Sequence, residues 1–149
     1  MTETLTIEVD GLLWMAKNFA EPHKNAKAPN GDETMVSEYG YLYDWNTAKE
    51  LCPDSWRLPT ISEFQSLIDK LPKEFIVVPE TFTVLPAGSS YFGWYVYFGE
   101  YASFWTGTES SKNSAYAVWF HGSNSWLDDA SKDRWRSVRY VKNLEKVQN

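Results

Sequence analysis

The sequence predicts an α+β domain, and three observations carry that class. Helical periodicity falls early, in "YDWNTAKELCP" and "LPTISEFQSLIDKLP". Everything after Phe75 reads as short strands and polar connections. The chain also opens on the alternating run "TLTIEV", so strands stand at both ends of it. Helices and strands that are segregated, instead of alternating, argue against a parallel βαβ sheet. With 149 residues, a single domain over 1–149 is expected, able to bury about 68–70% of the surface that the unfolded chain exposes.

The elements follow in order. Leu5, Ile7 and Val9 share one strand face, and Asp10-Gly11 suits the positive φ angles of a type I′ turn, so "LLWMAKNF" returns as the partner strand. The stretch from Ala20 to Ser37, rich in Pro, Asn, Gly and charge, is a loop. His23 lies in it with no second histidine nearby and reads as a solvated side chain. Asp44 or Asn46 caps a short helix that Pro53 stops. Thr60 and Glu63 form a capping box, and Ile61, Phe64, Leu67, Ile68 and Leu71 fall on one stripe, so an amphipathic helix ends near Pro72. In "YFGWYVYF", Phe92, Trp94, Val96 and Phe98 alternate with Tyr91, Tyr95 and Tyr97. That pattern predicts one strand with a buried face and a tyrosine face toward water. "ASFWTGTE", "SAYAVWFH" and "RWRSVRYV" supply further strands, joined by polar segments at Ser110 to Ser114 and at Gly122 to Arg134.

Composition narrows the function. Aromatic residues make up 17% of the chain (8 Trp, 9 Tyr, 8 Phe), more rings than a core of this size needs, while a mean hydropathy of -0.47 keeps it among globular domains. The formal net charge of -6, from 14 Lys and Arg against 20 Asp and Glu, argues against nucleic acid, whose phosphates require a basic surface. No apolar run reaches the roughly 20 residues of a membrane span, and "MTETLTIEVD" lacks a signal peptide's basic start and apolar stretch, so neither membrane insertion nor self-export is expected. Synthesis in the cytoplasm, with any display on a phage particle or bacterial surface gained through assembly or fusion, fits these features. Cys52 is the single cysteine, which excludes an intrachain disulfide.

Several stretches taken together resemble a known family. "DGLLWMAKNF", "YGYLYDWNTAKELCPDSWRLPTISEFQSLI", "LPAG", "FWTGTE" and the closing "SVRYVKN" stand in the order found in the Fibrobacter succinogenes major paralogous domain family, over Asp10 to Asn143. The resemblance implies a C-type-lectin-like fold, related to formylglycine-generating enzymes and to the variable proteins of diversity-generating retroelements. It implies a pair of helices, small twisted antiparallel sheets, and N- and C-terminal strands close together. It implies no activity. Many members read Cys where Tyr140 stands, so a disulfide from Cys52 to that position is unavailable here.

Candidate chemistry is sparse. The formylglycine generators use a cysteine pair to hold copper, and one cysteine cannot supply it; Cys52 beside Pro53 reads as a buried structural thiol. No HxxxH or CxxC spacing supports a metal site, and no cofactor is expected. Asp128 and Asp129, with Asp133 and Glu109 as candidate spatial neighbours, are the raw material of a carboxylate hydrolase. Adjacent carboxylates on an extended chain point to opposite faces, however, and do not flank one bond. The Glu-Pro-Asn and Trp-Asn-Asp motifs of calcium-dependent lectins are absent, leaving a calcium site without specific support.

The segment "FHGSNSWLDDASKDRW" sets two tryptophans among Ser, Asn, Asp and Gly. Stiff rings for contact area, with adaptable small polar residues around them, make the composition of a binding paratope. In the implied fold the late polar segments lie on one face with the tyrosine side of "YFGWYVYF". The expected ligand-binding surface therefore comprises Tyr91, Tyr95, Tyr97 and Tyr101 from the tyrosine run, with Asn113, Ser123, Asn124, Trp126, Asp128 and Trp135 from the later segments. Trp105, Trp119 and Trp135 fit core positions as well as contact positions, because they sit in or beside apolar strand patterns. Asn124, Ser125 and Asp128 cannot shield Trp126, which leaves exposure and core burial both open, and exposure would call for a partner. The run from Ser110 to Arg134, ending abruptly at "SVRYV", also resembles the diversified segment of retroelement variable proteins. The expected function is a non-enzymatic binding module for a cell-surface protein or glycan. An enzyme and a structural subunit of an oligomer or larger particle are the alternatives.

Overall fold

A computed structural model of the chain describes residues 5–70, 84–122 and 124–144. β1 (Thr6–Val9) and β2 (Leu12–Met15) pair antiparallel with Val9 opposite Leu12. Asp10 and Gly11 turn between them at φ 50° and 78°, as the Asp-Gly pair requires. The C-terminal strand β8 (Val141–Asn143) lies on the other edge of β2, so strands from the two ends of the chain share one sheet. The expected loop from Ala20 to Ser37 contains two 3-10 turns (Pro29–Gly31 and Glu33–Met35) and leads into a one-turn helix, α1 (Val36–Tyr39).

Helix α2 (Trp45–Glu50) follows Asp44, whose extended φ and ψ place it at the cap position, although its side chain makes no capping bond. Helix α3 (Ile61–Lys70) begins with the predicted box: the Glu63 amide donates to Thr60 Oγ1 at 3.2 Å and the Thr60 amide to Glu63 Oε1 at 2.8 Å. Phe64 and Leu67 of its stripe are buried, and Ile61 and Ile68 are half-buried. Leu71 and the expected end near Pro72 lie outside the described residues.

The central sheet decides where the core sits. β5 (Ala102–Glu109), β6 (Ser114–His121) and β7 (Asn124–Ser131) pair antiparallel in chain order. The period-2 alternation of a strand divides their side chains between two faces. Phe104, Val118 and Phe120 pack toward Phe64, Leu67, Trp14 and Val141. Trp105, Ala115, Ala117 and Ala130 pack toward Tyr43, Trp45, Val138 and Tyr140. Two indoles cross-link this second cluster, Trp105 donating to Tyr43 O at 2.8 Å and Trp45 to Thr106 O at 2.9 Å. Tyr140, at the position where a cysteine would face Cys52, is buried in the same cluster, and its hydroxyl donates to Ala48 O at 2.5 Å.

Four sequence expectations change. The polar segment from Gly122 to Arg134 is mostly strand: β7 pairs with β6 along its whole length, from Ser114↔Ser131 to His121↔Asn124. An edge strand keeps one side in water, so a polar composition does not exclude it. "YFGWYVYF" is not one strand but a hairpin of β3 (Ser89–Tyr91) and β4 (Trp94–Val96). Phe92 and Gly93 form its turn at φ 48° and 80°. The predicted buried face is consequently turned out, with Phe92 and Trp94 exposed by 74% and 70%. "RWRSVRYV" contributes only isolated bridges before β8, among them Ser90↔Trp135 and Tyr43↔Arg136. His23, expected in solvent, is half-buried with Nε2 3.0 Å from Glu50 Oε2.

Arg57 clamps the α3 box, Nη1 and Nη2 meeting Glu63 Oε1 and Oε2 at 2.6 and 2.5 Å. Burial raises the Glu63 carboxyl, but the Arg57 guanidinium and the Thr60 amide and hydroxyl outweigh it and hold the group below its ordinary value. A carboxyl depressed by folding contributes stability above its unfolded pKa and loses it as the pH falls through the folded one. Glu63→Gln is therefore expected to lower the thermal midpoint at neutral pH, with the gap from wild type closing as the pH drops below about 4. A gap that persisted into acid would assign the effect to packing. Among the described residues no helix is long and apolar enough to cross a membrane.

Candidate functional site

The side of the sheet that carries Trp105 continues past the core and becomes a surface. Trp119 on β6 and Trp126 on β7 are directly opposite in the register, and their rings lie parallel to within 10° at 6.3 Å. Trp119 is nearly covered, while Trp126 is 42% exposed. A turn from Tyr97 to Tyr101 stands against them. Tyr97 takes φ 64°, and its carbonyl accepts from the amides of Glu100 and Tyr101, each at 3.0 Å. The two tyrosine rings lie 4.6 Å apart and meet Trp119 almost at right angles, at 85° and 83°. His121 stacks on Tyr101 at 4.4 Å. The result is an aromatic corner with an indole floor and a phenol wall. Phe92 and Tyr97 hold bulky side chains at positive φ, a conformation costing on the order of 1 kcal/mol or more that collects at functional surfaces.

Asp128 lies two residues beyond Trp126 on the same strand face. Its Oδ2 accepts from Trp119 Nε1 at 2.9 Å and meets Arg136 Nη2 at 3.4 Å. Arg136 is buried, donates through Nη1 to Ser103 Oγ at 2.5 Å, and lies 5.0 and 4.9 Å from the ring centres of Trp105 and Trp119. Burial pushes the guanidinium down to about 10 against the opposing pull of Asp128, so it stays charged at neutral pH. A cleft of about 350 Å³ opens here between Ser89, Tyr91, Val96 and Tyr97 on one side and Trp119, Asp128, Ala130 and Arg136 on the other. That volume falls in the range of small-ligand pockets. Arg134 borders the mouth, its guanidinium 4.4 Å from the Tyr91 ring centre and 5.0 Å from that of Phe92.

Of the expected ligand-binding residues, the structure gathers Tyr91, Tyr97, Tyr101, Trp126 and Asp128 at the corner and cleft, with Asn124 exposed on the same face of β7. Tyr95 belongs to the other side of the hairpin, where a Cβ on Gly31 would come within 3.3 Å of its ring. Trp135 lies with it: its Nε1 donates to Asn25 O at 2.6 Å and Lys27 Nζ sits 3.9 Å from its ring centre. Asn113 precedes the far end of β6, eight residues from His121 and so roughly 26 Å from it along the strand. Ser123 lies outside the described residues. Trp119, which fits core and contact positions alike in the sequence, is at the site, and Arg136, Arg134 and His121 join it from outside the expected surface. Reading Gly122-Ser123 as a two-residue hairpin turn would have set Trp119 opposite Trp126 and exposed the pairing.

The carboxylates do not converge. Asp128 faces the cleft, whereas Asp129 accepts from Ser110 Oγ at 2.5 Å. Glu109 pairs with Lys132 at 2.5 Å, and Asp133 accepts from Ser131 Oγ at 2.5 Å. The Cys52 thiol donates to Trp56 O at 2.9 Å, and burial raises its pKa, the setting of an unreactive structural thiol. Among the described residues no group of three His, Cys, Asp or Glu is placed to hold a metal ion.

A family model for the Lcl C-terminal domain matches residues 3–142. The chain belongs to that family. The Lcl C-terminal domain match takes in every strand that builds the corner and cleft, so the site is part of the family domain and not an appendage to it. No curated protein and no solved structure matches the chain.

Proposed function

We propose that this Lcl C-terminal domain is a non-enzymatic binding module that recognises a cell-surface glycan or protein through the aromatic corner and its cleft, on a C-type-lectin-like scaffold. The observation that carries this is Trp126: a large ring, 42% exposed, backed by Trp119 and walled by Tyr101, with a fixed carboxylate two residues away. Exposed rings held rigid by their neighbours lose little entropy on binding and dominate the energy of interfaces. The scattered carboxylates support a binding role over hydrolysis. Any diversification of the retroelement kind would be confined to β7 and the turns, because Ala115, Ala117, Val118 and Phe120 are buried.

Trp126→Ala is expected to lower binding on a glycan and cell-surface-protein array by about tenfold or more, a loss of at least 1.4 kcal/mol, with the thermal midpoint nearly unchanged. A matching fall in the midpoint would make the ring structural, and unchanged binding would remove the corner as the site.

A second reading, assembly into an oligomer or larger particle, is favoured by the hairpin tip, where Phe92 and Trp94 are uncovered. Replacing Phe92 by Asn restores the Asn-Gly turn pair and removes an exposed ring. Phe92→Asn is expected to raise stability by roughly 0.5–1 kcal/mol, and a simultaneous drop in sedimentation size would assign the tip to assembly.

A further inference from the structure

We infer that the outer edge of β7 pairs antiparallel with the same edge of a second copy of this chain, joining two three-stranded sheets into one.

Backbone hydrogen bonds show where the sheet is open. Its strand order is β5-β6-β7, so β5 and β7 each have one side without a neighbour in the sheet. On β5 that side is closed by a later segment of the chain: the Trp105 amide donates to Ser137 O at 3.2 Å and the Ser137 amide to Ser103 O at 3.0 Å. On β7 no such segment intervenes. The Lys132 amide donates to Asn113 O at 2.9 Å, which sets the phase of the ladder. Bonded pairs alternate along antiparallel strands, so Ala130, Asp128, Trp126 and Asn124 turn their amides and carbonyls toward β6. Ser125, Leu127 and Asp129 turn theirs outward, and among the described residues nothing bonds to them. The next outward carbonyl, Ser131 O, is already taken by the Arg134 amide at 3.2 Å, so the open stretch ends there.

This edge lacks the usual deterrents. The strand runs for 8 residues, no bulge interrupts its register with β6, and neither Lys nor Pro stands at the outward positions. Its side chains also suit a second copy, in one register. A two-fold interface sets residue i against j and j against i. Centred on Leu127, it places Leu127 against its own copy and Ser125 against Asp129 in both directions, engaging every open outward group in about six hydrogen bonds. Leu127, 49% exposed, is covered. The Ser125 hydroxyl meets a carboxylate whose Oδ2 accepts no bond among the described residues. Centring on Asp129 would instead oppose two carboxylates, and centring on Ser125 would run Leu127 and Asp129 past the end of β7. Far fewer residues touch than the roughly 20–30 a side of a standard interface, so the pairing is weak, with a dissociation constant of roughly 10 µM to 1 mM. The two-fold axis stands perpendicular to the sheet. For the binding role proposed above, both Trp126 corners then come to the same face, where weak single contacts to a repeated ligand reinforce one another.

The test is sedimentation of the full chain from about 10 µM to 1 mM, with amide hydrogen exchange followed by NMR at both ends of that range. The mass is expected to rise from monomer toward dimer. The amides of Ser125, Leu127 and Asp129 are expected to exchange about threefold or more slower in the concentrated sample, while those of Trp126 and Asp128, bonded to β6 in either state, stay unchanged. Ser125→Asp sets a new carboxylate against Asp129 and is expected to weaken dimerisation by about threefold or more; adding Asp129→Lys should restore it. Both positions are exposed, so the thermal midpoint of the monomer should hold. A monomer throughout the range would overturn the inference. So would a dimer that leaves the three outward amides unprotected, one that ignores both substitutions, or one that Phe92→Asn dissociates, which belongs to the hairpin tip. None of these readouts involves a ligand, so they succeed or fail apart from the array result.

Discussion

Trp105→Ala is expected to destabilise the fold by about 3–5 kcal/mol, the range for emptying a buried aromatic position. Three losses combine. The side chain is fully buried at the centre of the cluster against α2, and residues held between that helix and the sheet cannot collapse into the space. Tyr43 O loses its indole donor. The Arg136 guanidinium loses one of the two rings that flank it, leaving a buried charge less well compensated. Urea titration should show the midpoint falling with little change in slope, and heating should show a drop of roughly 10 °C. Trp105→Phe keeps much of the volume and should recover about half the loss. A change below about 1 kcal/mol would mean that the core can rearrange around this position.

Gly88→Ala is expected to cost about 3 kcal/mol and to disturb the cleft as well. Gly88 sits at φ 73°, and a Cβ there would come 2.4 Å from Val96 O and 2.8 Å from Phe98 N. Both neighbours are backbone, so no side chain can swing aside. The strain of a left-handed alanine adds to the steric displacement. Relief requires β4 to move away from β3, which shifts Tyr91 and Tyr97 relative to Trp119. A protein that keeps its wild-type midpoint and its wild-type indole spectrum would show that the hairpin gives way freely.

The parts of the fold written in local chemistry were legible. Asp10-Gly11 and the Thr60/Glu63 box specify their own geometry within four residues, and both form as read. The stripe at Phe64 and Leu67 and the alternation of β5 and β6 are set by burial on a defined side. What local pattern could not supply was pairing. β7 gains its strand conformation from β6, and its Asn, Ser and Asp residues conceal that because its outer edge faces water. Nothing local signals the hairpin at Phe92-Gly93, because Phe is a poor residue for a positive φ and the alternation runs unbroken across it. At the site, composition singles out Trp126, Tyr97, Tyr101 and Asp128, the resemblance sets them on one face, and the structure brings them near one another. Composition could not single out Arg136, whose position depends on an isolated bridge to Tyr43 rather than on any motif.

Strand β7 has a consequence for how such a domain changes over generations. Of its eight residues only Ala130 is fully buried, so the strand hangs on the sheet by its backbone, by that small side chain and by the contacts of Trp126 and Asp128 with Trp119 and Arg136. Asn124, Ser125, Leu127 and Asp129 can be rewritten without rebuilding the interior, while Trp119 and Arg136, anchored from behind, keep the frame in register. The molecule thus separates a replaceable front panel from a fixed chassis, and new specificity can arise there at little risk to folding.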